Sequence, residues 1–165
     1  MTTPYPTRPQ KLSGGLHLRP LKGQDSARLS EALCAMDPWK KLGYSDIGLM
    51  LYLDRADPAL HRYVLESKGA VAGIMSVRWP WLAGPFIEIM AVLPHVQRHG
   101  LGAMAVGWVV EQAERLGGNV WATTSDFNAN GRAFWSRMGF EEIAPLPDLI
   151  RPGFGELLLR RAPPR

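Results

Sequence analysis

The sequence predicts one domain of the α/β (α+β) class, and three features carry that expectation. Its 165 residues suit a single hydrophobic core that needs no covalent staples. Phe86 to Leu93 is nearly continuous in apolar residues, broken only by Glu88, as in a central strand covered on both faces. Directly after it, Leu101, Met104, Ala105, Trp108, Val109, Ala113 and Leu116 fall on one helical stripe that Gly117-Gly118 ends.

The remaining elements follow in order. Residues 1–13, with Pro4, Pro6 and Pro9, read as a flexible arm, residues 14–161 as the folded domain and 162–165 as a tail. Leu16 to Leu21 is a strand, and Ala27, Leu29, Leu33 and Met36 recur at helical spacing. Tyr44 to Leu53 forms a second short helix. Arg62 to Glu66 and Ala70 to Trp79 are strands joined by the turn Ser67-Lys68-Gly69. Trp79 to Ile87, with Pro80, Gly84 and Pro85, suits a loop entering the central strand. Asn119 to Thr124 is a strand, Asn130 to Met138 a helix closed by Gly139, and Phe140 to Ile143 and Glu156 to Arg160 are the last strands.

Composition narrows the function. Nineteen Lys and Arg against fifteen Asp and Glu favour an anionic ligand, but the cations form no stripe with interleaved aromatics, so nucleic acid is not expected. No apolar run approaches membrane-spanning length, and no membrane partner is expected. With Cys34 as the sole cysteine and no apolar leader, a cytoplasmic location is expected. Cys34 reads as a buried filler, since no base-bearing motif accompanies it. His17, His61, His95 and His99 lack metal-ligand spacing, so no metal is expected.

The chemistry concentrates in Gln97-Arg98-His99-Gly100-Leu101-Gly102, between the central strand and the long helix. Glycines there permit close backbone approach, and free amides at a helix start, with the helix dipole, suit a pyrophosphate. Arg98 adds charge-assisted contacts. Gly100 to Ala105 also satisfies the dinucleotide pattern G-x-G-x-x-A with Asp126 downstream. Pro94 to His99 separate strand from glycine, however, and too little chain remains for further βαβ units. An ordinary glycine-containing helix start is the third alternative.

Val92, a short link and Gln97-x-x-Gly100-x-Gly102 resemble the signature of the GNAT superfamily of N-acetyltransferases. A second motif agrees: Asn128, Gly131, Trp135 and Gly139-Phe140 stand where the family often has Asn, Ala, Tyr and Gly-Phe. The resemblance covers about Ile87 to Phe140. It implies a central mixed, mostly antiparallel sheet of six to seven strands, splayed between the fourth and fifth, with about four helices on both faces. It implies acetyl-CoA or coenzyme A as cofactor, held by the Met90, Ala91 and Val92 backbone, by Gln97, Arg98, His99, Gly100, Leu101, Gly102 and Ala103, and by Asn128 and Trp135. A bulge in the central strand can create the opening.

The resemblance further implies transfer of the acetyl group to a primary amine of a small molecule or peptide by direct attack. A non-catalytic acyl-CoA-binding module is the alternative, and a homodimer is compatible with either. Glu88 resembles the place where many relatives keep a base; its competing role is a paired buried carboxylate. Strand alternation puts Glu88, Met90 and Val92 on one face provided that no bulge falls between them. Asn128 also suits a helix N-cap. Trp135 departs from the family tyrosine, and an indole N–H donates a hydrogen bond without serving as an acid. The acceptor pocket is expected from Trp39 to Leu53, Trp79 to Pro85 and Pro145 to Gly155.

Overall fold

The computed structural model describes residues 3–164. One eight-stranded sheet runs β1 (Gln10–Lys11), β2 (Leu16–Pro20), β3 (Leu60–Ser67), β4 (Ala70–Trp81), β5 (Gly84–Val92), β6 (Val120–Ser125), β8 (Gly155–Arg161), β7 (Glu141–Pro147). Every neighbouring pair is antiparallel except β5 with β6. The predicted mixed sheet is therefore present, with its seven expected strands in order and one more from the N-terminal segment.

That extra strand corrects the flexible arm. Within residues 3–13, Gln10 and Lys11 pair with β2, Tyr5 is fully buried, and the Tyr63 hydroxyl donates to the Pro6 carbonyl (2.9 Å). Residues 1–2 lie outside the described residues. Proline and threonine content suggested a segment unable to pack, but one aromatic ring is enough to seal a core edge.

Local chemistry explains the turns. Lys68 and Gly69 both adopt positive φ, the geometry of a two-residue hairpin turn, and join β3 to β4. Leu82 and Ala83 do the same between β4 and β5, where Trp81 pairs with Gly84. Trp79 to Pro85 is thus a hairpin tip rather than a loop: Trp81 stacks on Phe86 (4.7 Å) and meets Trp121 edge-on (5.5 Å). These aromatic contacts carry the strands past Pro80.

Helices cover the two faces. α1 (Gly23–Cys34), the single turn α2 (Trp39–Leu42) and α3 (Asp46–Asp54) lie on one side, where Leu29, Leu33, Leu49 and Leu53 pack on Val64, Ile74, Ile89 and Ala91. α4 (Leu101–Glu114) and α5 (Ala129–Arg137) belong to the other, with Leu101, Ala105, Trp108 and Val109 against Leu18, Met75, Val77 and Ile87. α4 ends before Leu116, which is 55% exposed and leaves the predicted stripe. Among the described residues no helix is long and apolar enough to cross a membrane.

Candidate active site

β5 and β6 pair at only two positions, Phe86 with Trp121 and Ile87 with Ala122. Beyond them the strands separate, as expected for a sheet splayed between the strands at 84–92 and 120–125. The cause lies in β5, where Val77 faces Ile87 but Ser76 faces Ile89, so Glu88 is an extra residue opposite β4. This bulge bends β5 away from its neighbour. The Leu93 amide donates to the Ala72 carbonyl of the β4 side, so alternation turns the Met90 and Val92 peptide groups toward the opening and those of Ala91 toward β4.

The bulge also corrects the expected shared face. Met90 and Val92 pack on the α4 side, whereas Glu88 reaches α3 on the other. There the Tyr52 hydroxyl donates to Glu88 Oε2 (2.6 Å) and bonds Ser76 Oγ (2.9 Å). Arg78 Nε pairs with Glu88 Oε1, and Arg78 Nη1 reaches Asp57 at 3.0 Å. Glu88 is therefore a paired carboxylate with both oxygens engaged. Burial first, then the bond to Glu88, pushes the Tyr52 phenol well above its ordinary value, so it remains a proton donor.

At the mouth of the opening, a short 3-10 turn at Pro94–Val96 leads into α4. Gly100, with φ +76°, occupies the N-cap in a left-handed conformation that disfavours a side chain. The first helical bond runs from the Met104 amide to the Gly100 carbonyl (3.0 Å), and no side chain caps this end. The amides of Leu101, Gly102 and Ala103 are left open, and Arg98 and His99 are exposed beside them. Gln97 Nε2 donates to the Val92 carbonyl (2.8 Å), tying the loop to the strand edge. A Cβ on Gly102 would lie 3.4 Å from the Phe134 ring and 3.6 Å from Val92 Cγ2. A Cβ there would be in ordinary contact, so the helix start already packs close to α5 and β5.

The second motif sits on β6 and α5. Asn128 is the N-cap of α5, its Oδ1 accepting from the Gly131 amide (3.0 Å). A Cβ on residue 131 would come within 2.8 Å of Asn128 Cγ and 3.0 Å of Thr124 Oγ1, which accounts for glycine where alanine is usual. Trp135 is buried, edge-on to Phe134 (5.2 Å) and Phe140 (4.8 Å), and it makes no hydrogen bond among the described residues. It is a core residue bordering the site.

The sequence model of the acetyltransferase (GNAT) family matches residues 26–140. The chain belongs to the GNAT family. Solved structures with its fold include a GNAT-family protein from Chromobacterium violaceum, 22% identical over 95% of this chain and 87% of that one with a TM-score of 0.74. Another, from Desulfovibrio desulfuricans, is 23% identical over 90% and 98% with a TM-score of 0.70. Nourseothricin acetyltransferase is 25% identical over 66% and 68% with a TM-score of 0.59. No curated protein matches the sequence.

As a GNAT fold, the chain has the capability to bind coenzyme A, and its residues fit that ligand. The open amides at α4 and the close approach at Gly102 suit a pyrophosphate, and the unpaired edge of β5 suits an amide-bearing arm. Sequence reasoning missed the partners of Glu88, because the bulged β4–β5 register brings Ser76 and Arg78 to its side and the packing of α3 brings Tyr52. It also missed Glu156, a buried acid in β8 whose signal was present: a lone carboxylate opening an apolar strand, as Glu88 interrupts another.

Proposed function

We propose that this chain is an N-acetyltransferase that transfers the acetyl group of acetyl-CoA to a primary amine of a small molecule or peptide by direct attack. The observation that carries the proposal is the opening of β5 from β6 directly above the uncapped start of α4. The α4 amides of Leu101, Gly102 and Ala103, with Arg98 and His99, hold the pyrophosphate. The Met90 and Val92 peptide groups, flanked by Ala91, receive the pantetheine arm, with Gln97 positioning the Val92 carbonyl. Asn128 and Trp135 border the arm from the α5 side.

Acetyl-CoA supplies the acetyl group as a thioester: the amine nitrogen bonds its carbonyl carbon, the carbon–sulfur bond breaks, and one proton leaves the nitrogen. Only an amine with a free lone pair can attack, so that proton needs an acceptor. Glu88 serves through water, since the bulge turns it to the α3 face, with Tyr52, itself bonded to Ser76, and Arg78 fixing its carboxylate. Trp135 offers no acid, and a thiol with a pKa of roughly 8.5 leaves as thiolate. A non-catalytic binding module is the second reading, favoured by the engaged oxygens of Glu88 and by tryptophan at 135.

Thermal titration and turnover together test the proposal. Coenzyme A at about a hundred times its Kd should stabilise the fold by about 2.7 kcal/mol. Primary amines with acetyl-CoA should release free thiol. Stabilisation by NAD with none by coenzyme A would sink the ligand assignment; stabilisation without thiol release for any amine would leave the binding module.

Glu88→Gln should lower turnover by about 10²-fold or more below the pH at which the acceptor deprotonates itself. The deficit should close above that pH, because free amine is then abundant. Glutamine also loses the ion pair with Arg78, so rates belong at a temperature well below the variant's melting point. A wild-type pH–rate profile in Glu88→Gln removes Glu88 from the mechanism.

A further inference from the structure

Beyond the reach of α1 and α3, the same sheet face carries a second acid. Glu156 in β8 is only 5% exposed, and no Lys or Arg among the described residues pairs with it. Among the described residues its one hydrogen bond comes from the Ser125 hydroxyl, onto Oε1. Neighbouring cations are turned elsewhere: Lys41 Nζ sits 4.2 Å over the Phe127 ring, and Arg151 donates to the Leu42 carbonyl (3.3 Å). Asp126 adds negative charge nearby, its carboxylate lying over Gly155.

A carboxylate taken out of water without a cation is destabilising, and it is relieved either by taking up a proton or by charge from outside the chain. Tyr44 lies close enough to feel the Glu156 charge, while the nearby Phe127 and Phe154 rings, edge-on at 5.8 Å, carry Lys41 (4.2 Å) and Arg151 (5.9 Å) over their faces. The place is also right. Ser125 stands three residues beyond Ala122, the last position of β6 that pairs with β5. Glu156 pairs with Ser125, so it flanks the opening one strand away. It is formed where the α2 and α3 segment meets the Pro145 to Gly155 segment, two of the three stretches expected to hold the acceptor.

We propose that Glu156, bonded by Ser125, anchors a second positive charge on the acceptor, so that the substrate is a di- or polycationic amine. The inference rests on the transferase reading. The anchored charge cannot be the reacting nitrogen, because a carboxylate partner holds an amine in its ammonium form, without the lone pair that attack requires. Glu88 serves the reacting end and Glu156 the other.

The test compares α,ω-diamines of three to eight carbons with n-alkylmonoamines of equal length, by thiol release from acetyl-CoA, in the wild-type chain and in Glu156→Gln. Wild type should prefer the best diamine over its monoamine by at least about ten-fold in KM, the scale of one charge-assisted contact. Glu156→Gln should lose that preference through KM rather than kcat. A melting curve supplies a readout independent of turnover. Desolvation first, and Asp126 next, raise the Glu156 carboxyl above the ordinary range, against the Ser125 bond. A raised carboxyl lowers stability as pH climbs from its unfolded value of roughly 4.3 through the folded one. Glu156→Gln should therefore melt a few degrees above wild type near neutral pH, with Tyr44, Asp126, Lys41 and Arg151 retained, and the gap should close below about pH 4.

Equal KM for diamines and monoamines in wild type, or an unchanged preference in Glu156→Gln, overturns the assignment while thiol release leaves the transferase standing. Absence of thiol release with every amine, under conditions where coenzyme A stabilises the protein, overturns the transferase reading and this inference with it.

Discussion

Replacing Tyr5 by alanine should destabilise the protein by about 3–5 kcal/mol, the range for emptying a buried aromatic site. Its ring is fully buried and edge-on to Trp108 (5.7 Å) and Trp79 (6.1 Å), with His61 at 5.9 Å. Those neighbours belong to α4, β4 and β3, so the ring joins three elements that would otherwise face a void. Its hydroxyl contributes little, since the bond to the Val109 carbonyl is long at 3.4 Å. Tyr5→Phe should accordingly cost less than about 1 kcal/mol. Denaturant unfolding of both variants checks this, and a wild-type midpoint for Tyr5→Ala would show that the N-terminal segment does not seal the core. An effect of the expected size would consume much of a typical domain's stability of about 5–15 kcal/mol.

Gly102→Val should reduce coenzyme A affinity by more than about ten-fold, the scale of one or two lost charge-assisted hydrogen bonds. The Cβ itself fits, at ordinary contact with the Phe134 ring and Val92 Cγ2. The two further methyls of valine must then push against that ring or stand over the open α4 amides. Gly102→Ala, which adds only the tolerated Cβ, should melt within a few degrees of wild type and lose less affinity. Gly100 differs, because its φ of +76° makes any side chain strained even though the space is open. Calorimetry with coenzyme A measures both variants at position 102, and wild-type affinity in Gly102→Val would falsify the proposed loop.

How much of this was legible depended on whether the physical cause was local. Strand and helix periods, the hairpin turn at Lys68-Gly69 and the glycines at the start of α4 act within a few residues, and their elements stand where the pattern put them. Asn128 as N-cap with glycine three residues on is equally local, although the contact with Thr124 that excludes a Cβ at Gly131 is not. The N-terminal segment was misjudged because its composition lacks an apolar face; a single ring inserted between distant strands leaves no periodic trace. Trp79 to Pro85 was misjudged because prolines and glycine signal a loop, whereas Trp81, Phe86 and Trp121 hold the hairpin together across 40 residues of chain.

By itself the sequence determined the class of fold, the order of its main elements, the family and the glycine-containing loop at the start of α4, because apolar period, glycine placement and motif spacing are properties of neighbouring residues. Tertiary structure alone decided which way Glu88 points, since strand alternation held only until the bulge opposite Ser76 and Val77 added a residue. It decided that Tyr52 and Arg78 engage that acid, and that Glu156 lies buried next to Ser125 with no cation paired to it among the described residues. These depend on register and on helix packing across the sheet, long-range terms that no window of residues contains.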